Sequence, residues 1–264
     1  MKIAIIGGGV MGEAILAAAL ERNVFQPSDA TVCEVVPNRR DLLKSEYGVN
    51  VTAEGTAAME GADLVILSVK PQDVGSVQGR LRPEALLLSV MAGVRIDTIR
   101  KAFGHDRIVR VMPNTPVAAK AGMSVWTATE AVDAEQRRLA RGLLNAIGRE
   151  IYVEDERKVD MATAVSGSGP GYVFLFIEAM IEGAVAIGIP RPQAQEMVLQ
   201  TFYGAALYAI ESGRPPAELR GMVTSPAGTT AEGLLAMERH AIRAAIVEGI
   251  QAAYDRAVEL GGRA

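Results

Sequence analysis

Gly7-Gly8-Gly9-Val10-Met11-Gly12 carries the spacing G-x-G-x-x-G, with Gly7, Gly9 and Gly12 in the three glycine positions. Alone the pattern is weak. Here the apolar run at residues 2–6 leads into it and a helical pattern at residues 12–22 leads out of it. That strand–turn–helix context makes it a dinucleotide-binding fingerprint. The first glycine permits the tight turn, the second lets backbone approach a pyrophosphate, and the third lets the helix pack on the strand. The helix N-terminus adds positive potential for the phosphates. The alternative is a glycine-rich turn that binds nothing. Glu34 lies at the end of the next predicted strand, close to the usual spacing of about 20 residues at which an acid accepts hydrogen bonds from the adenosine ribose hydroxyls. A carboxylate there repels a 2′-phosphate, which favours NADH. Arg39 and Arg40 follow directly and could instead hold a phosphate.

Working outward, strand and helix signals alternate over the first 155 residues. Strands are predicted at residues 2–6, 31–35, 64–69, 86–91 and 108–112, and helices at 12–22 and 39–47. Residues 64–69 show no polar alternation, as expected of a strand covered on both faces. The pattern predicts an α/β Rossmann-type parallel sheet domain. From about residue 156 strand signals disappear. Ala-rich helical patterns at 159–165, 172–187, 193–211 and 241–260 take over, punctuated by Pro190, Pro192, Gly213, Pro215 and Pro216. The expected organisation is a dinucleotide-binding domain at residues 1–155 followed by an all-α domain at 156–264.

The 264 residues are 49% hydrophobic, enough for a sizeable core. Net charge is −4 and the basic residues are scattered, so neither nucleic acid nor an acidic membrane is expected as a partner. The single cysteine, Cys33, forbids an intramolecular disulfide and a cysteine-rich zinc site. No metal is expected, and the compartment read from this is reducing and cytoplasmic. Glycines interrupt the N-terminal apolar run too early for a signal peptide. Residues 172–189 are the most membrane-like stretch. Glu178 and Glu182 fall inside it, and two carboxylates in a span would cost several kcal/mol. The segment therefore reads as a buried helix of a soluble protein. Its polar face is weak, and the all-α half offers few elements to bury it. A second subunit is the natural cover.

Only two histidines exist, His105 and His240, both read as solvated surface residues. Alcohol and hydroxy-acid dehydrogenases usually need a His or Lys base for the hydroxyl proton. An imine brings its own proton and needs only a hydrogen-bond donor, an anchor and a positioned hydride. Thr224-Ser225-Pro226-Ala227-Gly228-Thr229-Thr230 could build such a site, since it is rich in hydroxyls and small residues and precedes a helix. On these residues alone an ordinary capped loop is the favoured reading.

Four segments in order resemble the pyrroline-5-carboxylate reductases, and the likeness spans essentially the whole chain. They are Ser68-Val69-Lys70-Pro71-Gln72, Arg110-Val111-Met112-Pro113-Asn114-Thr115-Pro116, Ser166-Gly167-Ser168-Gly169-Pro170-Gly171-Tyr172, and Pro216-Ala217-Glu218-Leu219 with Val223 to Thr230. The resemblance implies a Rossmann domain followed by an all-α dimerisation domain, NADPH or NADH as cofactor, and reduction of 1-pyrroline-5-carboxylate to L-proline. It implies a homodimer whose all-α halves interlock, often assembled further into a decamer, a pentamer of dimers. One subunit's nicotinamide is expected to meet the other's signature loop. By position Thr230 matches the threonine that hydrogen-bonds the imine nitrogen, and Ser225, Ala227, Gly228 and Thr229 match the substrate-binding loop. Ile6, Gly7, Gly8, Gly9, Val10, Met11, Glu34, Val35, Ser68, Val69, Lys70, Pro71, Met91, Ala92 and Gly93 match cofactor-contact positions. The chain departs from the family pattern at Glu34-Val35, where a Ser, Asn or Asp followed by Arg is common, and at Gly55, where Asn is common. It also departs at Ala227-Gly228 and at His240-Ala241, each usually Gly-Gly. The last departure predicts a more helical turn. The nearest alternatives are a deazaflavin-dependent NADP reductase, a β-hydroxyacid dehydrogenase and a non-catalytic NADH sensor.

Overall fold

The computed structural model describes residues 1–263, with side chains through residue 261. Its frame is an eight-stranded sheet in the order β3-β2-β1-β4-β5-β6-β7-β8. The strands are β1 (Ile3–Ile6), β2 (Ala30–Cys33), β3 (Asn50–Thr52), β4 (Leu64–Leu67), β5 (Leu86–Ser89), β6 (Ile108–Met112), β7 (Gly122–Ala128) and β8 (Gly148–Tyr152). Neighbouring strands are parallel except β6 and β7, which are antiparallel. The run β3-β2-β1-β4-β5-β6 is the strand order of a Rossmann sheet, and it reverses direction between β1 and β4, where such sheets bind their ligands.

β1, β4 and β5 are buried at every position, because helices cover both faces. Side chains along a strand alternate between faces, and the core divides accordingly. Ile3, Ile5, Leu64, Ile66, Leu86 and Leu88 join one cluster, whereas Ala4, Ile6, Val65, Leu67 and Leu87 join the other. The first face packs on α1 (Val10–Glu21) and α5 (Ala134–Ala146), which contribute Ile15, Leu16, Leu143 and Leu144. Local chemistry sets the helix ends. α2 (Pro37–Tyr47) opens with proline in its first turn and closes on Gly48 in the left-handed region. α5 opens with a capping box between Asp133 and Gln136. α3 (Gly55–Met59) and α4 (Ile96–Phe103) complete the connections.

The chain then turns helical. It runs through α6 (Arg157–Ala162), a π-helical turn (Thr163–Gly167), α7 (Gly169–Ala186), α8 (Arg191–Ser212), α9 (Pro216–Met222), α10 (Thr229–Arg239) and α11 (Ile242–Arg263). Two compact units result. One spans Met1–Pro170 and includes the end of α11 from Ala252; the other is Gly171–Gln251. In the second unit α7 buries none of its residues, and Phe174, Leu175 and Ile187 are 61%, 63% and 81% exposed. The expectation that residues 172–189 are buried is therefore not met within one chain. The helical stretch Arg157–Ala186 is long and apolar enough to cross a membrane, and 6% of its most apolar window is buried.

Two further expectations are corrected. His105 is buried, with Nε2 at 2.7 Å from the Ala85 carbonyl oxygen, and is not solvated; a ring with one well-placed acceptor tolerates burial. The turn at His240-Ala241 is not more helical. α10 stops at Arg239, and Ala241 takes φ 53°, a left-handed break between two helices.

Candidate functional site

The first site is a cleft of about 770 Å³ at the β1/β4 reversal. Among the expected cofactor residues, Ile6, Gly7, Gly9, Glu34, Val35, Ser68, Val69 and Lys70 line it. Gly7 takes φ 104°, and a side chain there would lie 2.8 Å from the Ser68 backbone. Ser68 answers by donating its hydroxyl to the Gly7 carbonyl at 2.7 Å. Gly12 is close-packed as its role requires: a Cβ would strike the Gly7 carbonyl oxygen and stand 2.7 Å from Ser68 Oγ. Gly9 is the opposite case, with open space and nothing within 4 Å of where a Cβ would be. Gly9 is also the N-cap of α1, and no side chain caps that helix. A bare helix N-terminus beside open space is what a pyrophosphate needs, so the residues fit a dinucleotide.

The other expected contacts lie outside the lining. Val10 is 77% exposed at the start of α1. Gly8 sits against Leu43 and Glu34. Pro71 opens the 3₁₀ turn Pro71–Ser76. Met91 is in the core on the second face and does not line the cleft, and Gly93 makes a positive-φ turn after β5. The cleft also recruits residues that sequence reasoning missed: Glu54 and Thr56 at the start of α3, and Asp73, Ser76 and Gln78 after β4. Their one signal was position, since they follow the C-terminal ends of β3 and β4.

Glu34 is held at both oxygens. The Gly8 N–H donates to Oε2 at 3.0 Å and the Val36 N–H to Oε1 at 2.9 Å. The neighbouring arginines are both engaged. Arg39 Nε donates to the Gly8 carbonyl at 2.8 Å, and its guanidinium pairs with Glu13, which also accepts from Tyr47 Oη at 3.0 Å. Arg40 donates to the Glu34 and Val35 carbonyls at 2.6 and 3.0 Å. Burial, then the Glu13 carboxylate, pushes the Tyr47 phenol up to about 12. Burial, then the charge of Glu34, raises the Cys33 thiol as well.

The second site is the loop before α10. Gly228 N–H donates to the Ser225 carbonyl at 3.0 Å, closing a tight turn in which Ala227 takes φ 56°. Gly228 is the N-cap, so Thr229 and Thr230 are the first two residues of α10. No side chain caps the helix, and Ser225, Thr229 and Thr230 are exposed. The loop presents the first amides of α10 and the hydroxyls of Ser225, Thr229 and Thr230, an arrangement suited to a small carboxylate.

Beneath the sheet's exit into α6 lies a charge cluster. Arg110 on β6 is 1% exposed and donates to Asp160 at 2.5 Å and Glu156 at 2.9 Å. Asn114 bridges the loop after β6 to the π-helical turn, donating to the Ser166 carbonyl at 3.0 Å and accepting from the Met123 N–H at 2.8 Å. Both belong to the second of the four family-like segments, and here they act as ties.

Comparison with known proteins follows the same division. A family profile described as pyrroline-5-carboxylate reductase dimerisation matches residues 156–260, and one described as NADP oxidoreductase, coenzyme F420-dependent, matches residues 2–93. The pyrroline-5-carboxylate reductase of Synechocystis is 40% identical over 264 residues, covering 99% of this chain and 98% of its own. A Coxiella burnetii pyrroline-5-carboxylate reductase structure superposes with TM-score 0.87 at 34% identity, covering 98% of each chain. The Plasmodium falciparum pyrroline carboxylate reductase, with NADP bound, superposes at 0.89 with 27% identity, covering 99% of this chain and 98% of its own.

Proposed function

The chain belongs to the pyrroline-5-carboxylate reductase family, and from that premise we propose how its residues divide the work. The protein is an NAD(P)H-dependent oxidoreductase that reduces the C=N bond of 1-pyrroline-5-carboxylate to L-proline, the last step of proline biosynthesis. The deazaflavin alternative is not favoured, since the F420-dependent profile matches only residues 2–93. When bound, the nicotinamide cofactor supplies the hydride. Gly7, Gly9 and the bare end of α1 hold its phosphates, and Glu34 holds a ribose.

The observation that carries the substrate half is the uncapped N-terminus of α10. In this reading the Thr229 amide and the Ser225 hydroxyl hold the substrate carboxylate, with Ala227 and Gly228 shaping the turn. The Thr230 hydroxyl oxygen accepts from the iminium N–H and orients the C=N bond. No histidine or lysine base is needed, because the iminium carries the proton that remains on the product amine. Thr230→Ala is expected to lower kcat about 10- to 100-fold, the low end for loss of one positioned hydrogen bond, with dinucleotide binding nearly unchanged. Thr230→Ser retains much of the activity. Wild-type turnover by Thr230→Ala in a steady-state assay with pyrroline-5-carboxylate would remove Thr230 from this role.

Residues 1–155 are assigned as the cofactor domain and 156–264 as the dimerisation and substrate-binding domain, which the start of the dimerisation profile at residue 156 supports. The protein is a homo-oligomer. Within it we assign dimers in which one subunit's signature loop serves the other's nicotinamide, gathered further into decamers. Light scattering tests this through the mass: a monomer or a bare dimer rules out the decamer. The compartment proposed is the cytoplasm, in keeping with a single, unpaired cysteine and checked by cell fractionation.

A further inference from the structure

We propose that Glu34 makes NADH the preferred reductant of this protein, and that the Gly8 peptide is the part that keeps Glu34 in place. The inference rests on the cleft being the dinucleotide site and goes further by choosing between the two dinucleotides.

Three observations converge. First, the carboxylate cannot swing aside cheaply, since each oxygen already accepts a backbone N–H, from Gly8 and from Val36. A charged acceptor holding two amides is among the stronger hydrogen-bonded arrangements. Its remaining lone pairs are free for two ribose hydroxyls, whereas a 2′-phosphate would bring like charge into a partly desolvated pocket. Second, the cations that could offset this are engaged. Arg39 grips the Gly8 carbonyl and pairs with Glu13, itself held by Tyr47. Arg40 is turned to the carbonyls of Glu34 and Val35. Third, the charged residues lining the cleft are Glu34, Glu54 and Asp73 against Lys70 alone, three carboxylates to one ammonium. The cleft already carries a negative balance before any phosphate enters.

One train of contacts therefore runs Tyr47–Glu13–Arg39–Gly8–Glu34. Arg39 is a positioning residue in it: it orients the peptide whose N–H fixes the acid, and it reads no phosphate.

The test compares NADH with NADPH at fixed salt in two ways: kcat/KM with pyrroline-5-carboxylate, and dinucleotide affinity by fluorescence titration without substrate. The wild type is expected to favour NADH at least tenfold in both. Glu34→Gln keeps the shape and an acceptor for Gly8 but loses the charge, so it should cut that ratio at least tenfold, mainly by gaining NADPH. Arg39→Gln should weaken both dinucleotides alike. A wild type that binds NADPH as well as NADH, a Glu34→Gln ratio equal to wild type, or an Arg39→Gln defect confined to NADPH would each overturn the inference. A wild type that binds neither dinucleotide would overturn the cleft reading itself, a separable result.

Discussion

Replacing Asp160 by Asn tests how the helical segment is fastened to the sheet. Asp160 is 2% and Arg110 1% exposed. Asp160 Oδ1 accepts from Arg110 Nη2 at 2.5 Å, and Oδ2 faces Arg95 Nη2 at 3.6 Å. Arg110 Nη1 goes to Glu156 at 2.9 Å, and the same Glu156 oxygen accepts the Ile96 N–H at 2.8 Å. Asparagine keeps the volume and one acceptor oxygen but removes the charge. The buried guanidinium then depends on Glu156, whose side chain is 30% exposed and already shared. Removing one partner of a buried ion pair costs about 3–5 kcal/mol. The retained oxygen and the surviving Glu156 contact place this change near about 3 kcal/mol. For a unit of this size about 2–4 °C is lost per kcal/mol, so the expected fall in Tm is about 6–12 °C by circular dichroism at fixed protein concentration. The paired change Arg110→Met with Asp160→Leu should cost less than Asp160→Asn, because it leaves neither of these two charges without its partner. A single-variant shift under about 2 °C would refute the reasoning and show that relaxation or water compensates for the lost charge.

Two other perturbations separate roles that look alike. Gly9→Ala places a methyl in open space, so Tm should stay within about 1 °C of wild type while dinucleotide affinity falls at least tenfold, about 1.4 kcal/mol; unchanged affinity by titration would show that the phosphates lie elsewhere. Tyr47 has its phenol raised from 10.0 to about 12, so the stability it contributes is fully present below about pH 10 and lost as pH rises through about 12; ultraviolet titration should show one tyrosine ionising near 12, absent in Tyr47→Phe, and a Tyr47→Phe titration curve matching wild type there would refute it.

Much of the cofactor half was legible because its chemistry is local in sequence. The glycine spacing, the apolar strand before it and Glu34 lie within one βαβ unit, and fully apolar strands such as Leu64–Leu67 declare burial on both faces. Three strands were missed. β3 has three residues, β8 at the sheet edge never fully buries a side chain, and β7, though largely buried, carries Ser124 and Thr127 among its apolar residues. The Arg110–Asp160 pair spans 50 residues, so neither charge reveals the other before the chain folds. His105 misled for the same reason, as its acceptor is a backbone carbonyl at Ala85. At the signature loop the residues were legible only through family likeness. The bare helix end that gives them meaning depends on Gly228, and not a hydroxyl, taking the cap position.

The uncovered face of α7 also has a genetic consequence. If subunits meet through α7, as the proposed dimer has it, two alleles expressed in one cell would be drawn into the same assemblies. A chain that folds but turns over poorly, such as Thr230→Ala, would enter those assemblies and dilute the output of its intact partners, behaving as a dominant lesion. A chain with charge placed at Phe174 or Leu175, which are 61% and 63% exposed, would be excluded from partnership, leaving the wild-type chains to pair among themselves. Its defect would be recessive. On the same protein, the position of a lesion relative to this one helix decides whether a single bad copy matters.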